Sequence, residues 1–146
     1  MTRIDQSALL PYTAQQMFDL VNDIESYPRF MDGCMAATIL DKDAAEVTAR
    51  LELGKGGLKY AFTTRNELVA PTSMNMVLVD GPFRLFTATW QFLTLGDNAC
   101  KVSLQMEFEF ASGLVDVALR LLFESTSRNL VSAVCRRADQ LYGGIS

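Results

Sequence analysis

The sequence predicts an α+β fold: a curved antiparallel sheet of about seven strands wrapped around a long C-terminal helix, with one or two short helices after the first strand. Three observations carry this. From Cys34 to Phe110 the chain runs as segments of alternating polarity joined by short turns, which favours an antiparallel meander. From Ser112 to Tyr142 the period changes, and Leu119, Phe123, Thr126, Leu130, Val134, Ala138 and Leu141 share one helical stripe. A sheet with one apolar face has to bury it, and that stripe is what the chain offers to cover it.

The elements follow in order. Arg3 to Leu10 places Ile4, Gln6, Ala8 and Leu10 on one face of a strand that Pro11 ends. Thr13-Ala14-Gln15-Gln16 has the form of a capping box, and Met17, Leu20, Val21 and Ile24 supply the apolar stripe of a short helix. Tyr27-Pro28 interrupts that helix, with a second helical turn expected around Pro28 to Met31. Strands are then expected over Met35–Leu40, Glu46–Leu53, Leu58–Val69, Met74–Val79, Leu85–Leu95 and Cys100–Phe110. Asp41 to Ala44, Gly54 to Gly57, Pro71 to Ser73, Asp80 to Pro82 and Gly96 to Asn98 provide the turns. The last strand is the clearest, because Cys100, Val102, Leu104, Met106, Phe108 and Phe110 alternate with Lys101, Ser103, Gln105, Glu107 and Glu109.

Ser112 is placed to cap the C-terminal helix, and Gly143-Gly144 to end it through a left-handed conformation. Asp116, Arg120, Glu124 and Arg128 form an i,i+4 ladder of alternating charge on its water face. At 1.5 Å per residue such a helix is roughly 45 Å long, so a bend or break is expected near Ser125 to Ser127.

Length and composition restrict the function. A chain of 146 residues fits one domain, 1–146, with 49% hydrophobic and 21% charged residues. No segment reads as a membrane span, and Met1 to Asp5 carries no basic region followed by an apolar run, so a cytoplasmic protein is expected. There is no histidine, which removes Ser-His-Asp and Cys-His catalysis and imidazole metal ligation. Cys34, Cys100 and Cys135 are far apart and outside any C-x-x-C spacing, and read as small buried hydrophobes rather than metal ligands. A formal charge of −4 gives no general attraction to phosphate, and DNA is not expected as a partner.

This order resembles the helix-grip fold of the START-like superfamily. The stretch Gln16 to Pro28 is similar to the opening signature of its polyketide cyclase/dehydrase-like branch, which holds the coenzyme Q-binding proteins and the ribosome-association toxins of the RatA type. Asp80-Gly81-Pro82-Phe83 with Trp90-Gln91-Phe92 is similar to the central signature, and Phe108-Glu109-Phe110 with Cys135 to Gly143 completes it. Met31-Asp32-Gly33 departs from the bulkier, proline- and tryptophan-containing form expected before Cys34. The resemblance implies two roles. One is non-catalytic binding of ubiquinone or a related polyprenyl lipid, in support of respiration or quinone biosynthesis, with contact at the inner membrane surface. The other is binding to the large ribosomal subunit so that subunit association is blocked.

The first role is the expected one, with the RatA-like role as its alternative. Phe62, Met76, Trp90, Met106, Phe108, Phe123 and Leu130 are the candidate lining of an apolar cavity for a quinone ring and prenyl tail. Tyr60, Asn66, Thr87 and Gln91 are candidate donors to a quinone carbonyl. No cofactor is required, and the ligand itself is a hydrophobic small molecule. Gly54-Lys55-Gly56-Gly57 lies between strands and lacks the P-loop pattern, so it reads as a turn, a flap with Lys55 and Lys59 at its base, open to lipid headgroups or ribosomal RNA. Arg50, Lys55, Lys59, Arg65, Arg84, Arg128, Arg136 and Arg137 are the basic residues available for phosphate, against a background of solvated surface charge. Glu107 and Glu109 on a wet strand face, and Asp23 and Glu25, lack the shielding that acid–base chemistry needs, so no enzyme is expected.

Overall fold

The computed structural model describes residues 1–111 and 117–143, without the Leu58 side chain. The elements are β1 (Thr2–Leu10), α1 (Ala14–Asn22), a 3-10 helix (Ile24–Arg29), β2 (Cys34–Lys42), β3 (Glu46–Lys55), β4 (Leu58–Val69), β5 (Ser73–Asp80), β6 (Phe83–Gly96), β7 (Ala99–Phe110), α2 (Val117–Arg128) and α3 (Leu130–Tyr142). All seven strands join one antiparallel sheet in the order β1-β7-β6-β5-β4-β3-β2. Each strand from β2 to β6 pairs with its successor, because the turns between them are only two or three residues long, and β1 closes onto β7.

Alternation sets the core. Ile4, Val47, Leu51, Met74, Met76, Ala88, Trp90, Leu104 and Met106 point to one buried face, and α1, α2 and α3 cover it. The capping box is present at Thr13: its hydroxyl accepts from Gln16 N, and the Gln16 carboxamide accepts from Thr13 N. At the far end of the chain, Tyr12 donates to Asp139 Oδ1 at 2.5 Å and Tyr142 donates to the Gln16 carbonyl at 3.1 Å. These bonds fasten α3 to the segment around α1.

Several sequence expectations are corrected. The second helical turn starts earlier than Pro28, running from Ile24 to Arg29 with Pro28 inside it. A 3-10 turn tolerates proline there because its bonds close over three residues, as in Ser26 N to Asp23 O and Phe30 N to Tyr27 O. The C-terminal helix is two helices parted at Asn129, slightly beyond Ser125–Ser127. Ser125, Thr126, Ser127 and Asn129 are weak helix formers, and the carbonyl of Arg128 accepts from Gln6 Nε2 at 2.9 Å. The break resets the stripe. Ser127 is buried, whereas Leu141 is 48% exposed, because the inward row of α3 continues from Val134 and Ala138 to Tyr142 instead.

Gly143 has φ −92° and so is not in the left-handed region; it is glycine because a Cβ would stand 2.6 Å from the Tyr12 hydroxyl oxygen. Cys34 and Cys100 are buried, but Cys135 is only half-buried. Ser112, Asp116 and Gly144, assigned from the sequence to the helix cap, charge ladder and exit, lie outside the described residues. The described remainder of the ladder holds one pair, Glu124 with Arg128 at 2.9 Å, while Arg120 lies 5.6 Å from the centre of the Phe110 ring.

Candidate functional site: a small apolar cavity and its rim

Between the sheet and the α2–α3 break lies a cavity whose walls come from every layer of the fold. Leu51 and Leu53 of β3, Phe62 of β4, Met76 of β5, Phe86 and Trp90 of β6 and Met106 of β7 form its floor. Phe123, Thr126, Ser127, Leu130 and Val134 form the roof, and Tyr27 and Met31 the side. Six of the seven residues proposed from sequence therefore meet here. Phe108 does not line the void; it packs edge-on to Phe123, 4.7 Å between ring centres.

Phe123 sits at the centre of an aromatic cluster at the cavity wall. Its ring centre is 4.9 Å from that of Phe83, 5.7 Å from Phe62, 5.8 Å from Phe110 and 6.2 Å from Phe86, at the tilted and edge-on angles that aromatic quadrupoles favour. The void that remains is 40 Å³, against about 300–1,000 Å³ for sites that hold small molecules. That is less than the space a quinone ring with its tail occupies.

The polar groups are few. Tyr27 donates its hydroxyl to the Val21 carbonyl, and burial, with Cys34 and Asp23 adding to it, raises its pKa. Tyr60 stacks on Phe62 at 6.5 Å, and its buried hydroxyl has no hydrogen-bond partner; burial raises its pKa too. Asn66 is buried but accepts from the Thr64 hydroxyl at 2.9 Å. Thr87 and Gln91 are exposed on the convex face, so of the four donors suggested by sequence only Tyr60 presents an unengaged buried hydroxyl beside the aromatic cluster. The chain alternates with period two, and β6 turns Phe86, Ala88 and Trp90 inward, which forces Thr87 and Gln91 out.

The site holds little catalytic chemistry. No Asp or Glu among the described residues is buried, and no three His, Cys, Asp or Glu among them group as metal ligands. Burial pushes the Cys34 thiol up to about 11, so it stays protonated and a poor nucleophile at neutral pH. Glu107 and Glu109 are bound instead to Arg3 and Arg84. Among the described residues, no helix is long and apolar enough to cross a membrane.

The rim has a different character. Thr126 lies on the helical stripe read from the sequence, whereas Tyr27, Met31 and Ser127 were not anticipated as lining, since they sit in a turn and off that stripe with no period to mark them. Gly33 brings that turn against α2: its φ is +89°, and a Cβ would stand 2.7 Å from Thr126 Oγ1. Thr126 donates to the Asp32 carbonyl at 3.3 Å. The small Met31-Asp32-Gly33 version of this loop thus lets α2 close down over the cavity. Gly54 to Gly57 forms the end of β3 and the β3–β4 turn, as expected.

A family model described as polyketide cyclase/dehydrase and lipid transport matches residues 10–135. The chain belongs to this family. Within it, the chain is 45% identical over 142 residues to a Pseudomonas aeruginosa protein named ribosome association toxin RatA, covering 97% of this chain and 99% of that one. It is 24% identical to the mitochondrial coenzyme Q-binding protein COQ10 homolog B of Xenopus laevis, covering 94% of this chain and 58% of the relative. Among solved structures, the Zhui aromatase/cyclase from a Streptomyces species superposes with a TM-score of 0.79 over 99% of each chain at 16% identity, a likeness of fold.

Proposed function

We propose that this protein is a ribosome-association factor of the RatA type, which binds the large ribosomal subunit and keeps the subunits apart without chemistry of its own. The reading rests on the end-to-end likeness to proteins named for ribosome association, 45% identical, against 24% for the coenzyme Q-binding relative. The small size of the cavity, about 40 Å³, is in keeping with it, since that space is below what a lipid needs. It also departs from the quinone role that the apolar stripe alone suggests. Under this reading the aromatic cluster is packing that holds the helices rigid on the sheet, and the working surface is outside. The protein would act where ribosomes are, in the cytoplasm.

Sedimentation tests it. Purified protein added to ribosomes is expected to comigrate with the large subunit and to shift material from assembled ribosomes to free subunits. A profile unchanged at stoichiometric excess rejects the proposal.

The second reading, sequestration of ubiquinone or another polyprenyl lipid, is favoured by the methionine and aromatic walls of the cavity. It requires the cavity to widen from about 40 Å³. Stoichiometric quinone in an organic extract of the purified protein, reduced in a Trp90→Ala variant, would establish it.

A further inference from the structure

The charged side chains are distributed unevenly. On the convex face, Arg3 pairs with Glu107 at 2.7 Å, Arg50 with Glu52 at 3.6 Å, Arg65 with Glu46 at 3.9 Å, and Arg84 with Glu109. Those arginines are neutralised by partners on the same strand or the next one. The rim of the cavity differs. Lys55 and Arg136 line one narrow cleft with Asp32, Ser125, Thr126 and Asn129, and neither cation is in an ion pair among the described residues. Arg29 lines the adjoining hollow with Phe30, and the guanidinium of Arg137 lies 5.6 Å from the Phe30 ring centre. Four cations therefore surround one loop in which Asp32 is the acid, on a chain whose formal charge is −4.

Their convergence follows from the fold. Leu53 points into the cavity, so Lys55, two residues on, leans over the same face at the strand's end, while Lys59, paired with Gly54, falls on the other face. The break at Asn129 turns the start of α3 toward that strand end, and Arg136 comes with it.

We propose that Lys55 and Arg136, flanked by Arg29 and by Arg137 over Phe30, form a cleft that grips the phosphates of single-stranded RNA. This rests on the ribosome reading and names the surface that makes the contact. Unpaired ammonium and guanidinium groups beside hydroxyl and amide donors match phosphate oxygens. A half-buried aromatic ring under a guanidinium adds a face on which a base stacks, which sequence-tolerant single-strand sites use. The net negative charge elsewhere keeps RNA from the remaining surface.

The test compares the double variant Lys55→Gln/Arg136→Gln with Arg50→Gln/Arg65→Gln, which removes the same charge from the convex face. Binding of a fluorescent single-stranded RNA of about twelve nucleotides is followed between about 50 and 200 mM salt. The rim variant is expected to bind at least about tenfold more weakly, with a salt slope smaller by about 1.4, two phosphates at about 0.7 each. The convex variant and Lys55→Arg/Arg136→Lys are expected to stay within about twofold of the wild type. No RNA binding by the wild type, or equal weakening of rim and convex variants, overturns the cleft. So does rim-dependent binding only to vesicles of phosphatidylglycerol and phosphatidylcholine, which would make the phosphate source a lipid. Comigration with the large subunit that survives the rim substitutions also overturns it, with the ribosome reading intact. RNA binding that needs the rim, without subunit comigration, upholds the cleft and rejects the ribosome reading.

Discussion

Replacing Phe123 with alanine probes the packing of the whole site. The side chain is 3% exposed and its ring touches those of Phe62, Phe83, Phe86, Phe108 and Phe110. Truncating such a phenylalanine costs about 3–5 kcal/mol, of which roughly 100 Å³ of unrelaxed space at about 24 cal/mol per Å³ supplies about half or more. For a domain with about 5–15 kcal/mol to lose, this is a large fraction, and the melting temperature should fall by roughly 6–20 °C. The enlarged void, the present 40 Å³ plus the ring, nears the roughly 150 Å³ at which dry apolar cavities take up benzene. Urea unfolding followed by circular dichroism and by Trp90 fluorescence measures the loss, and repetition in benzene-saturated buffer measures the recovery. A loss under about 1 kcal/mol with an unchanged m-value, or no benzene effect specific to the variant, refutes the account of Phe123 as the centre of the packing at the cavity.

Four further outcomes are expected. Tyr60→Phe removes a buried hydroxyl that has no partner, so urea midpoints should be unchanged or higher, by up to about 1 kcal/mol. Burial raises the pKa of Tyr27 and Tyr60 above the ordinary 10.0, so the fold keeps both protons where the unfolded chain loses them. Stability should accordingly hold below about pH 10, fall as pH rises beyond it, and fall less steeply in Tyr60→Phe; a slope identical to wild type would contradict this. Gly33→Ala places a Cβ 2.7 Å from Thr126 Oγ1 at φ +89° and should lose about 1–3 kcal/mol, part of which Thr126→Ala restores, as thermal melts of the single and double variants will tell. Cys34, buried with its pKa pushed up to about 11, should resist a thiol reagent at about pH 8 until denaturant is added.

Much of this was legible along the chain. The strands of β6 and β7 could be read because a residue's side of a sheet depends only on its parity, and Trp90 and Met106 kept theirs. The Thr13 capping box could be read because all its bonds close within three residues. The break between α2 and α3 was nearly legible, since weak helix formers mark it, yet at its edge the Arg128 carbonyl accepts from Gln6 Nε2, 122 residues away, a partner no local pattern announces. Thr87 and Gln91 could not be assigned to a donor role from type alone; their parity placed them outside.

The sequence by itself determined the order of elements, the apolar face of the sheet, the kinship and the absence of histidine chemistry, because each depends on local period or residue identity. Only the tertiary structure decided that the apolar face encloses 40 Å³ rather than a lipid-sized space, since the reach of Phe123 into the Phe62, Phe83 and Phe108 cluster is set by how the sheet curves beneath α2. It also decided which cations are neutralised and which are not. Arg50 finds Glu52 on its own strand, but Lys55 and Arg136 meet only when a strand end and a helix break, far apart in the chain, fold over the same rim.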